Sequence, residues 1–261
     1  LELKMRDKQC KKIAKFCDLV IVSSQDAYKD FSHFAPRNIK KVRVLNFVSV
    51  PSTIDLPSLD TLKAKYGFNR PYFYLPNQFW KHKNHSLVID AINDLKKEWP
   101  DILVLASGSE QDYRDPNYYS HLMSKVKTYG ISSNFISLGI VPYSDVVSLM
   151  LNSIAVINPS LFEGWSSTVE EAKSLGVRLV LSDINVHREQ ANGKAIFFPP
   201  SSASCLAKKL SEFKNDKKIT ESHQISDYNL KNNNQRLKVY GSTYQDIIVE
   251  SIKKNLSPLQ G

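Results

Sequence analysis

From about residue 71 to 200, short apolar runs alternate with amphipathic segments, the pattern of strands buried on both faces and joined by crossover helices. The runs YFYL (72–75), ILVLA (102–106), FISL (135–138), IAVIN (154–158), RLVLS (178–182) and AIFF (195–198) predict six strands. Helices are predicted between them over HSLVIDAINDLKKEW, YYSHLMSKVKTYG, YSDVVSLMLNS and TVEEAKSLG. Such an order predicts an α/β fold, a Rossmann-like doubly wound parallel sheet. Two helical stretches follow, SASCLAKKLSEFKN and the polar NLKNNNQRLKVYGSTYQDIIVESIKKN.

Residues 1–50 differ in kind: a basic helix (3–16), a strand (18–24), a helix over QDAYKDFSHF, a strand (42–48), then the linker SVPSTIDLPS. Two strands cannot build a sheet with its own core. These residues read as the tail of a second Rossmann-like domain, the alternative being extra strands on the main sheet. The expected organisation is 1–50 as that tail, 51–240 as the main domain and 241–261 as a C-terminal helix packing back toward the first. The missing initiator Met points to a piece of a longer protein.

Composition narrows the partners. Among 261 residues, 35 Lys and Arg against 26 Asp and Glu give a net charge of +9, which favours anionic ligands or surfaces. Nucleic acid is not expected, because the basic residues are scattered without interleaved aromatics. Cys10, Cys17 and Cys205 show neither a disulfide framework nor metal-ligand spacing. Cys10 and Cys17, seven apart, are expected to face a core together. That cysteine usage fits the reducing cytoplasm. No apolar run is long enough to span a bilayer, so a soluble or peripheral chain is expected, and the basic first helix is either a solvated face or a contact with an anionic membrane.

Ligands of such sheets bind at the carboxyl ends of strands. In LPNQFWKHKNHS, Lys81, His82, Lys83 and His85 gather where a helix begins, a position that disfavours cations unless an anion joins them. A solvated loop with Asn84 as N-cap explains them equally well. In LFEGWSSTVEEAKSLG, Ser167 capping with Glu170 at the third helical position makes a capping box. Thr168 capping with Glu171 there makes another. The run GWSST offers amides beside a helix N-terminus, suited to phosphate or sugar hydroxyls. In ASGSEQDYRDP, Gly108 permits a tight turn or a close ligand, without the spacing of a dinucleotide fingerprint.

Together these loops resemble the retaining glycosyltransferases of family 4, whose two Rossmann-like domains form the GT-B fold. The family's run P-S-x-x-E-G-F-G-L-P-x-x-E-A-x-x-x-G is similar to PSLFEGWSSTVEEAKSLG (159–176), with its paired glutamates on Glu163 and Glu171. The resemblance implies a hexosyltransferase whose donor-binding half is this chain. Lys83 would neutralise the donor diphosphate, Glu163 would contact the sugar, and Glu171 the ribose. Amides of Gly164, Trp165, Ser166 and Ser167 would hold sugar and phosphate, and Gly108, Ile140 and Val141 would bracket the base. The family's proline falls on Thr168 and selects the register with Ser167 as cap.

Departures from the family run bear on the phosphate site. The family's Gly-Arg is Asn77 and Gln78 here, so Gln78 takes the place of a donor-binding cation, with Lys81 or Arg188 as substitutes. The segments NQFWKHKNH and DINVHREQ resemble a subgroup with mannosyltransferases of bacterial surface polysaccharide synthesis. What the resemblance implies is a nucleotide-sugar donor (GDP-mannose-like, UDP or dTDP), a glycan or lipid-linked acceptor, and neither cofactor nor metal. The acceptor half lies outside the sequence, so little or no transfer is expected from this chain alone. The alternative is a non-catalytic nucleotide- or glycan-binding module.

Overall fold

The computed structural model describes residues 2–215 and 227–256. The chain divides into two compact units, one of residues 49–230 and one of residues 1–48 with 231–261. The last five residues of the expected C-terminal helix, 257–261, lie outside the described residues.

The smaller unit begins with α1 (Glu2–Phe16), β1 (Val20–Val22), α2 (Gln25–Phe34), a 3-10 turn (Pro36–Lys41) and β2 (Val42–Val44). Strands β1 and β2 pair in parallel from Val20 opposite Val42 to Val22 opposite Val44, shorter than the runs 18–24 and 42–48 predicted. Ser24 caps α2 by accepting the Ala27 N–H at 3.0 Å. Lys41 donates to the carbonyls of Lys15 and Cys17 at 3.3 and 3.0 Å, placing a cation where the end of α1 is most negative. Cys10 is half-buried and Cys17 exposed, so the two do not share a core; the helix ends at Phe16, and Cys17 no longer follows its periodicity.

The larger unit runs α3 (Leu59–Tyr66), β3 (Phe73–Pro76), a 3-10 turn (Lys81–Lys83), α4 (His85–Leu95), β4 (Val104–Ser107), α5 (Tyr118–Thr128), β5 (Phe135–Ser137), α6 (Tyr143–Leu151), β6 (Val156–Asn158), α7 (Ser167–Leu175), β7 (Leu179–Ser182), α8 (Asn185–Ala191), β8 (Ile196–Phe198) and α9 (Ala203–Ser211). The six strands make one parallel sheet in the order β5-β4-β3-β6-β7-β8. The doubly wound α/β fold expected from the alternating pattern is therefore the fold observed. A last helix, α10, spans Asp227–Leu256. No described helix is long and apolar enough to cross a membrane.

Successive strand residues point to opposite faces, and because both faces are covered by helices the strands are mostly apolar. Phe73 and Leu75 of β3 join Val104 and Ala106 of β4 on the face covered by α4, α5 and α9, with Val88, Ile92, Leu122 and Leu206. Tyr72, Tyr74, Leu103 and Leu105 face the other way, into α3, α6 and α7, with Leu62, Val147, Val169 and Leu175. Both tyrosine hydroxyls stay satisfied: Tyr72 donates to the Leu149 carbonyl at 3.0 Å, and Tyr74 meets Ser107 Oγ at 2.6 Å.

Helix α3, which follows the linker and was not predicted, is bounded by Ser58, whose hydroxyl accepts the Thr61 N–H, and by Gly67 in the left-handed region at φ 71°. Its single buried residue, Leu62, left almost no periodic signal. Helix α8 was also missed; its N-cap Ile184 makes no side-chain cap bond.

The chain runs outward from β3 to β5, then returns to place β6 on the other side of β3, so the switch point lies between the ends of β3 and β6. There Gly108, following β4, passes so close to the backbone after β3 that a Cβ would lie 2.5 Å from the Asn77 carbonyl oxygen. Its φ of 151° is also one that side chains rarely adopt. Gly108→Ala is expected to cost about 3 kcal/mol in urea unfolding, from strain and overlap together. A loss below about 1 kcal/mol would show that the two loops can separate freely.

Candidate functional site

The loops after β3 and β6 meet at the switch point. Leu161 N–H donates to the His82 carbonyl at 2.8 Å, and Asn84 Nδ2 donates to the carbonyls of Pro159 and Pro200 at 3.1 and 3.0 Å. Asn84 sits in the left-handed region at φ 57°, where its side chain clamps three loops and makes no cap bond to α4. This use of its amide replaces the capping expected of it. Across the junction Lys83 Nζ donates to Glu163 Oε1 at 2.5 Å, and both side chains are about nine-tenths covered, at 13% and 10% exposure.

A buried polar chain supports Glu163 from behind. Ser160 Oγ lies 2.7 Å from both Glu163 Oε1 and Asn158 Oδ1, so its one proton serves one of them at a time. Asn158 Nδ2 donates to Ser166 Oγ at 2.9 Å. Ser182 Oγ donates to the Ser160 carbonyl at 2.6 Å, which leaves His187 Nδ1 as the proton donor to the Ser182 carbonyl at 3.0 Å. Burial above all lowers the basicity of His187, so its ring is neutral.

The first turn of α7 corrects the capping register. The N-cap is Ser166, whose Oγ accepts from Val169 N–H at 3.4 Å; Ser167 is the first helical residue and Glu170 the fourth, so no capping box forms. Distant partners decide it: Gln190 Oε1 accepts Ser166 N–H at 3.1 Å, and Gln190 Nε2 donates to the Ser166 carbonyl at 2.7 Å. Ser166, expected among the donor-binding residues, thus has its N–H and hydroxyl committed within the protein. Ser167 and Gly164 are exposed, and Trp165 is half-buried with Lys173 Nζ 5.9 Å from its ring centre.

Glu170 is buried at 1% exposure, bonded to Gln190 Nε2 at 3.0 Å and Lys173 Nζ at 2.8 Å. Burial and then the charge of Lys194 bring the Lys173 ammonium down to about 8. Glu171 faces elsewhere, accepting from Tyr143 Oη at 3.0 Å and Ser49 Oγ at 3.4 Å. Burial pushes its carboxyl above the usual range, and the two hydroxyls oppose the shift.

Gln78 Oε1 accepts the Ser109 N–H at 2.5 Å, tying the loop after β3 to that after β4 beside Gly108. Asp112 strengthens the same junction. It is buried, holds Arg114 by Nε and Nη2 at 2.8 and 3.1 Å, and accepts the Lys81 N–H; the Arg114 side chain, first of these, holds its carboxyl below the usual range. Ile140 is 79% exposed beside the half-buried Val141, ahead of Tyr143. Arg188, a candidate phosphate ligand, is engaged by Asp183 at 2.5 and 2.6 Å.

Gln190, Asp112, His187 and Tyr143 were missed. Only their presence in the strand-to-helix segments could have drawn attention to them. No group of three or more metal-ligating side chains occurs among the described residues.

Residues 60–236 match the family described as glycosyl transferases group 1. No curated protein matches the sequence significantly. Among solved structures, a glycosyltransferase from Rickettsia africae is 17% identical with a TM-score of 0.73, over 91% of this chain and 67% of that one. Anabaena HepE, in complex with UDP and glucose, is 16% identical with a TM-score of 0.75, over 92% and 65%. The sucrose-phosphate synthase of Thermosynechococcus elongatus is 15% identical with a TM-score of 0.69, over 95% and 62%. The chain thus spans about two thirds of the length of each. At these identities the likeness establishes the fold, that of GT-B glycosyltransferases.

Two measurements probe this arrangement. Gln190→Leu leaves Ser166 N–H and Glu170 short of buried partners and is expected to cost about 3 kcal/mol in urea unfolding; a cost under about 1 kcal/mol would show that residues 164–167 do not depend on the clamp. His85, fully buried and stacked on Phe79 with ring centres 4.4 Å apart, has its pKa lowered by burial from 6.5 to about 3. The unfolded imidazole takes a proton below 6.5 while the folded one stays neutral, so stability is present above that value and is lost as pH falls toward about 3. Between pH 7 and 4 the wild type should lose about 3 kcal/mol more than His85→Leu; parallel losses would refute this assignment.

Proposed function

The chain belongs to the glycosyl transferases group 1 family, and from that premise we propose that it is the nucleotide-sugar-binding half of a retaining family 4 glycosyltransferase. The reaction moves a hexose from a nucleoside diphosphate sugar to a glycan or lipid-linked acceptor, in the assembly of surface polysaccharide on the cytoplasmic side of the membrane. The Lys83–Glu163 pair, held at 2.5 Å at the switch point, carries this reading.

The chemistry needs negative charge stabilised on the departing diphosphate and a carboxylate near the sugar. An ammonium has three N–H donors, and Lys83 spends one on Glu163, leaving the others for phosphate oxygens. Being mostly covered and tied to a rigid loop, it needs little reorganisation as charge develops, which is how preorganised electrostatics lowers a barrier. Lys83 and the N-terminal turn of α7 together supply the counter-charge, so the proposed reaction requires no metal.

Glu163, backed by Ser160, faces the sugar, and Glu171 receives ribose hydroxyls in place of those of Tyr143 and Ser49. Gly108, Ile140 and Val141 line the base end, and Gln78 lies toward the diphosphate. The complex of Anabaena HepE with UDP and glucose supports a nucleoside diphosphate sugar as donor. The base and sugar proposed here are GDP-mannose-like, or a UDP or dTDP hexose.

Calorimetric titration of the 261-residue chain with UDP, GDP and dTDP, with and without Mg²⁺, tests the proposal. One nucleotide should bind without Mg²⁺, and Lys83→Ala should weaken it at least tenfold, about 1.4 kcal/mol. Binding indifferent to Lys83→Ala, or absent for all three, would sink the reading.

A further inference from the structure

The two loops that carry Lys83 and Glu163 meet in adjacent rungs. One is the ion pair. In the other, one residue earlier in each loop, the rings of His82 and Phe162 stack with centres 4.6 Å apart and planes 21° from parallel. The backbone bond from Leu161 to His82 holds the rungs in register. Behind His82 the ladder continues: its ring centre lies 5.7 Å from that of Trp80, and the Arg114 guanidinium lies 5.1 Å from the Trp80 centre. Asp112 fixes Arg114 from the far side.

The ladder ends in Phe162, which is 62% exposed. Lone exposed apolar residues are common and need no explanation. Phe162 differs because one face is pinned to a ring that is itself braced, so its open face is rigid, and because it abuts Glu163. Burial, then the neighbouring charge of Lys83, lowers the His82 pKa, so the pair presents a neutral π-surface.

A rigid, flat, electron-rich face beside a carboxylate suits a pyranose. The axial C–H bonds of a sugar ring carry partial positive charge that meets the negative face of an aromatic quadrupole, while equatorial hydroxyls point outward to water. A nucleobase also stacks on aromatic rings, but the donor reading proposed above assigns the ribose to Glu171 and the base to the loops of Gly108, Ile140 and Val141. In the proposed pose the donor hexose is gripped by polar groups, Glu163 and amides of the 164–167 turn other than that of Ser166, which Gln190 holds. Phe162 lies on the solvent side of Glu163, whose own side chain is only 10% exposed.

We propose that Phe162, braced by His82, Trp80 and Arg114, is the stacking platform for a pyranose ring of the acceptor glycan. The inference rests on the glycosyltransferase reading and adds the acceptor's chemical class and one of its contacts.

The test uses the 261-residue chain with methyl α-D-mannopyranoside and methyl α-D-glucopyranoside as probes in saturation-transfer NMR, alongside calorimetry with UDP, GDP and dTDP. Saturation should reach the ring protons of at least one pyranoside, fall at least fivefold in Phe162→Ala and persist within twofold in Phe162→Trp, while nucleotide affinity changes less than twofold. Transfer to neither pyranoside, or transfer undiminished in Phe162→Ala, would overturn the proposal. So would a Phe162→Ala loss as large for the nucleotide as for the sugar, which would make the ring a base platform. Phe162-dependent sugar transfer without any nucleotide binding would sustain the platform while the donor reading failed.

Discussion

The parallel pairing of β3 with β6, made where Tyr74 lies opposite Val156, is the constraint on which the site depends. It brings together loops some 80 residues apart in sequence. Three features are attached to that junction: the Lys83–Glu163 pair, the His82–Phe162 stack and the three-loop clamp of Asn84. Asn84 illustrates the energetics. A left-handed backbone costs a non-glycine residue roughly 1–2 kcal/mol, and the two side-chain bonds to the Pro159 and Pro200 carbonyls offset a sum of that size.

Behind the junction lies a polar core inside an apolar fold. Asn158, Ser160, Ser166, Ser182, His187 and Gln190 are all buried, and the bonds among them run from β6 through the α7 cap to α8. In a low-dielectric interior such bonds are strong when made and expensive when missing. The network therefore fixes one conformation of the 159–167 loop, including the carboxylate of Glu163. The same residues in apolar form would pack a sheet equally well and would leave Glu163 unpositioned.

The sheet was legible because its strands are largely buried on both faces, so each reads as a mostly apolar run. What local pattern could not give was register. Ser166, Ser167 and Thr168 are all competent caps, and the choice is made by Asn158, eight residues away, and Gln190, twenty-four away. The proline of the family run pointed one residue too far, since Thr168 is the second helical residue here. Helix α3 escaped notice for the opposite reason: it is defined by its caps, with one buried side chain between them. Asp112 and Tyr143 take their meaning only from loops brought together by the fold.

The three glutamates of 163–171 show how neighbouring carboxylates come to differ. Successive helical residues point about 100° apart, so Glu170 and Glu171 cannot share a face, and α7 turns Glu170 inward toward α8 and Glu171 outward toward α6. Glu170 meets a cation and an amide, and its charge is consumed where it stands. Glu163 is bound to a cation too, but one that also has other donors to offer. Among the described residues, Glu171 is bonded to two hydroxyls, those of Tyr143 and Ser49. A carboxylate whose partners are neutral hydroxyls can exchange them for the hydroxyls of a sugar at little electrostatic cost, because donor type and net charge are the same before and after. That equivalence sets Glu171 apart from Glu170 and Glu163, each of which is paired with an ammonium.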